Sequence, residues 1–378
     1  MYHVKTMNKI SKIGLAELDD RFAISDTMEH EDAILVRSAK LHDYDFPAEL
    51  KCIARAGAGV NNIPLDRAAD AGIVVFNAPG ANANGVKELT IAALLLASRK
   101  ISQGITWVKE QSAAGADVAA VVEKGKSAYV GPEIMGKTLG VVGLGAIGVL
   151  VANAAAALGM KIVGYDPFLS VTHALNLTPG VEVVDTLPEL YAKADYISLH
   201  LPMNDATRGT LNEAAFAAMK DGVRIVNLAR GELVDTSALK AALDSGKCAA
   251  YVTDFPNSET AAIEGVVAIP HLGASTPESE DNCAMMAARE VKDYLDNGSI
   301  VNSVNLPNLT MAWAAKTRVC VISKGADAAA IAGAVPAVAS ASNTRGEYAY
   351  TILDTDAAVD EAAIAAIPGV LRVRVLTR

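Results

Sequence analysis

The sequence predicts an α/β protein centred on a doubly wound parallel sheet, with a second α/β lobe ahead of it and a small α+β module behind it. Two observations carry most of this prediction. Near-continuous Val/Ile/Leu runs separated by helical or turn-rich stretches recur across residues 138–269, as strands buried on both faces require. Beyond residue 317 the pattern changes to apolar/polar alternation, which belongs to an antiparallel sheet with one covered face. The chain has 378 residues, against about 100–200 for a typical domain, so two or three cores are expected, and a 51% apolar content is enough to fill them.

In chain order, Asp32–Arg37, Lys51–Arg55 and Gly72–Phe76 read as strands with helical segments between them, a parallel unit. From Val86 to about Lys100 an Ala/Leu/Ile-rich stretch has helical periodicity and the length to leave this lobe for another. Residues 101–137 are less regular and contain the charged loop Glu123–Lys126. Strands then follow at Thr138–Gly143, Lys161–Asp166, Asp195–His200, Val223–Leu228, Ala249–Asp254 and Val266–Ile269. After the loop Pro270–Pro277 comes a helix of about twenty residues, capped by Ser275 or Thr276, with Pro277 in its first turn and Gly298 as its stop. It returns the chain to the first lobe. Past Asn308, the runs Arg318–Ile322, Glu347–Leu353 and Leu371–Leu376 alternate as strands with Ala-rich helices between them.

Composition excludes several classes of function. The net charge is −10, and no Lys/Arg block interrupts the chain, so neither a nucleic acid nor a membrane surface is an expected partner. An acidic metabolite in a local basic pocket remains compatible. Cys52, Cys248, Cys283 and Cys320 stand far apart without a CxxC or a Cys/His cluster, so no disulfide framework and no metal site is expected. A reducing cytoplasm suits them. The first ten residues lack an apolar core of the secretory type, and no stretch approaches the roughly 18–20 apolar residues of a membrane span.

Gly143-Leu-Gly145-Ala146-Ile147-Gly148 closes a buried strand and opens a helix, which presents backbone amides and a positive helix end to a pyrophosphate. Asp166 ends the next strand eighteen residues after Gly148. An acid there bonds ribose hydroxyls and repels a 2′-phosphate, which favours NAD over NADP. Arg230 follows the strand ending at Leu228, where a guanidinium holds a carboxylate bidentately; an ion pair with Glu232 or Asp235 is the competing reading. His271 sits just past another strand, with the side chain best suited to exchange protons near neutral pH. Arg230, Asp254 and His271 thus share one rim, and His200 at another strand end has a weaker claim. His3, His30, His42 and His173 read as solvated. In the first lobe, Arg55-Ala-Gly-Ala58-Gly59-Val-Asn-Asn62 is a Gly-rich turn whose amides suit a carboxylate, and Arg37 ends a neighbouring strand. Lys87 opens the crossing helix after Asn82; it and Lys124 are equally readable as solvated charges.

Taken together, Arg55–Gly59, Gly143–Gly148, Asn227-Leu-Ala-Arg-Gly231 and Pro270-His-Leu-Gly-Ala-Ser-Thr276 resemble the D-2-hydroxyacid dehydrogenases, in that order and spacing. Residues from about 317, with Asn343–Tyr350 and Ile367–Val375, resemble a short ACT domain. The resemblance implies a Rossmann-type domain at 93–276, inserted in a flavodoxin-like substrate domain formed by 1–92 and 277–310, plus an ACT-like domain at 317–378. It implies hydride transfer between C2 of 3-phosphoglycerate and NAD to give 3-phosphohydroxypyruvate, the first step toward serine. On this reading His271 takes the hydroxyl proton, Arg230 binds the carboxylate, and Glu259 supports the imidazole. Cofactor contacts fall to Gly143, Gly145, Ala146, Ile147, Gly148, Asp166, Leu201, Pro202, Ala229, Arg230, Asp254, His271, Gly273 and Ala274. Substrate contacts fall to Arg37, Arg55, Ala58, Gly59, Asn82 and Lys87.

The sequence departs from the family pattern at several places. Phe255-Pro-Asn-Ser-Glu259-Thr puts the acid one position late and without a following Pro; Ala146 stands where an Arg is frequent; Lys87 replaces a small residue. Ser323-Lys-Gly-Ala326 lacks the His and Asn of serine-regulated relatives, leaving association as the role of the last module. A homodimer or homotetramer is expected, with residues 101–135 as the contact. The alternatives are a glyoxylate, hydroxypyruvate or other D-2-hydroxyacid reductase and, from another class, an NAD-sensing binding or corepressor protein.

Overall fold

The computed structural model describes all residues, Met1–Arg378. They form two compact units, residues 1–82 with 277–378 and residues 83–276.

The first unit opens with β1 (Tyr2–Met7), α1 (Lys12–Leu15), β2 (Phe22–Ser25), β3 (Ala33–Val36), β4 (Cys52–Arg55), α2 (Leu65–Asp70) and β5 (Val74–Phe76). The strands are all parallel and ordered β2-β1-β3-β4-β5, the flavodoxin-like doubly wound order. Every residue of β3 is buried, as is every residue of β4 except Arg55 at its tip. β1 and β2 leave no continuous apolar run, because most of their residues are only half-buried.

The second unit contains α3 (Ala83–Ser98), α4 (Ile101–Ala113), α5 (Val118–Gly125), β6 (Thr138–Val142), α6 (Ala146–Ala157), β7 (Lys161–Tyr165), α7 (Val171–Leu175) and β8 (Glu182–Val183). It continues with α8 (Leu187–Lys193), β9 (Tyr196–Leu199), α9 (Glu213–Ala218), β10 (Val223–Asn227), α10 (Thr236–Asp244), β11 (Cys248–Thr253) and β12 (Val266–Ala268). Its parallel strands are ordered β12-β11-β10-β9-β6-β7-β8, so the strand order reverses beside β6 and opens the crevice in which such sheets hold ligands. Residues 101–125, expected to be less regular, are largely helical; α4 and α5 bury no residue, so no apolar stripe marks them.

The chain returns to the first unit through α11 (Pro277–Asn297), which lays Cys283, Ala284, Ala287, Ala288, Val291, Tyr294 and Leu295 into the core of the first sheet. β13 (Thr317–Lys324), α12 (Ala328–Gly333), β14 (Ala339–Arg345), β15 (Tyr348–Thr355), α13 (Glu361–Ala365) and β16 (Val370–Thr377) follow. They make an antiparallel sheet ordered β14-β15-β13-β16, a β-α-β-β-α-β module. One sheet face, with Val319, Val321 and Leu353, packs on Ile331 and Ile364 of its helices. The other, with Cys320, Ile322, Tyr350 and Ile352, is continuous with the core of the first sheet. The end of α11 is capped from this module. Arg374 donates to the carbonyls of Tyr294 and Leu295 at 3.0 and 2.9 Å, Arg318 to that of Asn297 at 2.9 Å, and Tyr350 to that of Gly298 at 2.6 Å. These are the carbonyls a helix leaves unpaired, and cations complement the negative helix end. No helix is long and apolar enough to cross a membrane, and all four cysteines are free and buried.

Candidate active site

In the second unit, Gly143 leaves β6 with φ +94°, and its amide donates to the Tyr165 carbonyl at 2.8 Å. A Cβ on Gly148 would lie 1.9 Å from the Gly143 carbonyl oxygen, so this glycine permits the close helix–turn approach. Gly145 is different, because a Cβ there would enter open space. It precedes α6, whose first backbone bond runs from Val149 to the Gly145 carbonyl, and no side chain caps the helix. The amides ahead of Val149 are therefore available to an anion at the positive helix end. Asp166 receives the Leu144 amide at 2.9 Å and the Phe168 amide at 2.8 Å, which fixes its carboxylate beside the turn. Ala146 adds no charge there, and Leu201 packs beside Gly143.

At the tip of β10, buried Asn227 organises the next turn. It donates to the Arg230 carbonyl at 2.8 Å and accepts the Ala229 amide at 3.1 Å. The Arg230 guanidinium makes no ion pair with Glu232 or Asp235; it donates to the Ala229 carbonyl at 2.6 Å and covers the Phe255 ring at 5.2 Å. Asp235 instead caps α10. The same Phe255 ring packs on the His271 imidazole, with centroids 4.3 Å apart. Asp254 is 1% exposed; it receives the Gly273 amide at 3.1 Å on Oδ2, while Oδ1 is buried without a partner. Burial pushes its carboxyl above the usual range, opposed by the Gly273 hydrogen bond and the His271 charge.

Glu259 does not meet His271. Asn257 accepts the amides of Glu259 and Thr260 at 3.0 and 2.8 Å, folding 257–260 into a tight turn, and Glu259 is left exposed. The one-residue displacement seen in the sequence therefore has a structural consequence. His200 bonds Ser198 Oγ through Nε2 at 2.8 Å, and burial lowers its pKa to about 4, so it is neutral and occupied at physiological pH. Thr207 donates to the Pro202 carbonyl at 2.6 Å and closes the loop after it. Ser275 donates its amide to the Leu272 carbonyl at 3.0 Å, which turns the chain at Gly273 and Ala274.

In the first unit, Arg55 Nε donates to the Arg37 carbonyl at 2.9 Å, joining the tips of β3 and β4. Arg37 pairs with Glu280 at 2.7 Å. Asn77 accepts no part in this pair; it donates to the Ala58 carbonyl at 2.6 Å, and the amides of Ala58 and Gly59 have no internal acceptor. Asn82 carries a buried Oδ1 without a partner. Lys87, in the second unit, is 3.7 Å from Glu88. Sequence reasoning missed Asn8, which has φ +72° and accepts the Ser38 and Ala39 amides at 3.0 and 2.7 Å, along with the positioning roles of Asn227 and Phe255. An Asn directly after a strand is a signal that could have pointed to Asn8.

Residues 91–273 match the family described as D-isomer specific 2-hydroxyacid dehydrogenase, NAD binding domain. The second unit belongs to this family. Among curated proteins, the D-3-phosphoglycerate dehydrogenase of Methanocaldococcus jannaschii is 35% identical over 81% of this chain and 58% of its own length. That of Bacillus subtilis is 36% identical over 82% and 60%. The chain thus spans little more than half the length of these relatives. Among solved structures, the NAD+-bound 3-phosphoglycerate dehydrogenase of Entamoeba histolytica aligns with TM-score 0.62 at 26% identity, covering 82% of this chain and 99% of that one. A glyoxylate reductase from Paecilomyes thermophila aligns with TM-score 0.66 at 28% identity, covering 80% and 98%. The hydroxyacid dehydrogenase unit fits NAD on its own geometry: open space at Gly145, free amides at the start of α6, and an orphaned acceptor on Asp254 suited to an amide donor.

Proposed function

We propose that this chain oxidises 3-phospho-D-glycerate to 3-phosphohydroxypyruvate with NAD, the entry to serine biosynthesis. The observation that carries the reading is the placement of Arg230 and His271 on one phenyl ring, Phe255, beside buried Asp254 at the strand tips of an NAD-binding unit. The names of the curated relatives support the substrate.

NAD, when bound, supplies the hydride acceptor. Gly143, Gly145, Ala146, Ile147 and Gly148 would cradle its pyrophosphate, Asp166 its ribose, and Asp254 its carboxamide. Leu201, Pro202, Ala229, Gly273 and Ala274 would line the rest. As C2 loses hydride, His271 accepts the C2 hydroxyl proton, and Arg230 holds the carboxylate and polarises the new carbonyl. The nearest carboxylate acting on His271 is that of Asp254, not Glu259. The substrate phosphate would take Arg37 and Arg55 with the amides of Ala58 and Gly59, and Asn82 and Lys87 would complete the set.

The setting is cytoplasmic, in keeping with four reduced cysteines. A homodimer or homotetramer would form through residues 101–135, where Ile101, Ile105 and Val130 are exposed at 44%, 53% and 69%. The β-α-β-β-α-β module is the ACT-like part and serves association.

Purified protein should form NADH from NAD and 3-phosphoglycerate and oxidise NADH with phosphohydroxypyruvate. Absence of both reactions overturns the proposal. Equal turnover of glycerate and phosphoglycerate would favour the glyoxylate or hydroxypyruvate reductase reading, which the Paecilomyes thermophila likeness supports.

A further inference from the structure

The first unit contains a cavity of about 580 Å³ away from the strand tips, lined by the outer face of α11, by Gly80 and Ala81, and by residues 299–302. Glu290 lines it and is 8% exposed. Its Oε1 accepts from Asn302 Nδ2 at 2.7 Å, whereas Oε2 is buried without any partner. A carboxylate oxygen left without a donor is costly, and the hydroxyacid chemistry makes no use of it.

The surroundings define what would satisfy it. Asp293 lies three residues further along α11 on the same face and also lines the cavity, so the two carboxyls stand about 5–6 Å apart at Cβ. Arg289 is engaged by Glu17 at 2.7 Å. The other two segments, Gly80 with Ala81 and Ser299 with Val301 and Asn302, bring no titratable group. No cluster of three metal-binding side chains exists, so a metal ion lacks a ligand set. Met285, Met286 and Val301 supply apolar wall between the two acids.

We propose that this cavity binds a short aliphatic diamine, with one ammonium on Glu290, the other on Asp293, and the methylenes against Met285, Met286 and Val301. Four methylenes hold two ammonium groups over a span comparable to that of the acids. Burial has pushed the Glu290 carboxyl up to about 8, so at neutral pH it holds a proton until an ammonium arrives. Binding therefore releases that proton. Gly80 and Ala81 are the last residues but one before the chain passes into the second unit, so an occupied cavity would stiffen one of the two connections.

Titration calorimetry of the intact protein with 1,4-diaminobutane at pH 7, in two buffers of different ionisation enthalpy, tests this. The expected result is saturable binding with release of close to one proton. Glu290→Gln, which keeps the Asn302 bond, should weaken binding about tenfold or more and abolish proton release. Asp293→Asn and the use of 1-aminobutane should each weaken binding about tenfold. No binding to the wild-type chain, or unchanged affinity in Glu290→Gln or Asp293→Asn, overturns the proposal. Equal affinity for the monoamine overturns the two-acid arrangement.

Discussion

Phe255 lies against His271 with ring centroids 4.3 Å apart, and the opposite claim on the same ring comes from the Arg230 guanidinium at 5.2 Å. One phenyl side chain therefore sets the spacing between the proton acceptor and the carboxylate anchor. Phe255→Leu should lower kcat about tenfold through misplacement alone, since small errors in position at a reacting centre are expensive. His271→Asn should lower it by about 10²–10⁴, the range for losing a positioned base. Glu259→Gln should stay within about twofold, because its side chain is exposed and does not reach the imidazole. Steady-state rates for the three variants decide this; a large loss in Glu259→Gln would show that the acid moves to His271 during turnover.

The Gly-rich turn separates folding from cofactor binding. Gly148→Ala places a methyl 1.9 Å from the Gly143 carbonyl oxygen and should unfold the turn, visible as a lowered melting temperature. Gly145→Ala meets nothing within the protein and should melt as the wild type does. Its methyl would occupy the approach path of the pyrophosphate, so the Kd for NAD should rise on the order of tenfold, measured by NADH fluorescence. Equal loss of stability in both variants would contradict this division.

Why these glycines were legible in the sequence and Glu259 was misleading has one physical answer. Strands covered on both faces, such as β3, β6 and β9, must be apolar throughout, and the glycines closing β6 are spaced by local backbone geometry. Both leave marks in consecutive residues. β14 leaves none, because it is a largely exposed strand of Ala, Ser, Asn, Thr and Arg held by its ladder to β15. Glu259 fails for a further reason: whether an acid reaches His271 depends on the turn that Asn257 imposes. Asn227, Phe255 and Glu290 acquire their roles through contacts between segments distant in sequence, which no spacing encodes.

Glu290 also governs how stability depends on pH. Its carboxyl is raised in the folded protein, so folding favours the protonated form. The associated stability is fully present below the ordinary glutamate pKa and is lost as pH rises through about 8. Between pH 5 and pH 9 the wild type should lose on the order of 3 kcal/mol relative to Glu290→Gln. Urea midpoints of the two proteins at both pH values measure it. Parallel pH dependence would place the compensating charge elsewhere.

Arg318 and Asp354 form an ion pair with both side chains wholly buried, at 2.7 Å from Nε and 2.9 Å from Nη2. Every remaining donor and acceptor has work close by: Arg318 reaches the Asn297 carbonyl at 2.9 Å and stacks on Trp313 at 4.4 Å, and Asp354 accepts the Ala314 amide at 2.7 Å. The pair thus ties the terminal sheet to the end of α11. Arg318→Met would strand a buried carboxylate and an open helix end, so its cost should be about 3–5 kcal/mol. Arg318→Met combined with Asp354→Leu removes the stranded charge and should recover part of that loss, because a buried pair replaced by apolar residues is frequently near neutral. Urea unfolding of the single and double variants measures the difference. A double variant less stable than the sum of the two single changes would mean that the carboxylate, through the Ala314 amide, supports the junction independently of Arg318.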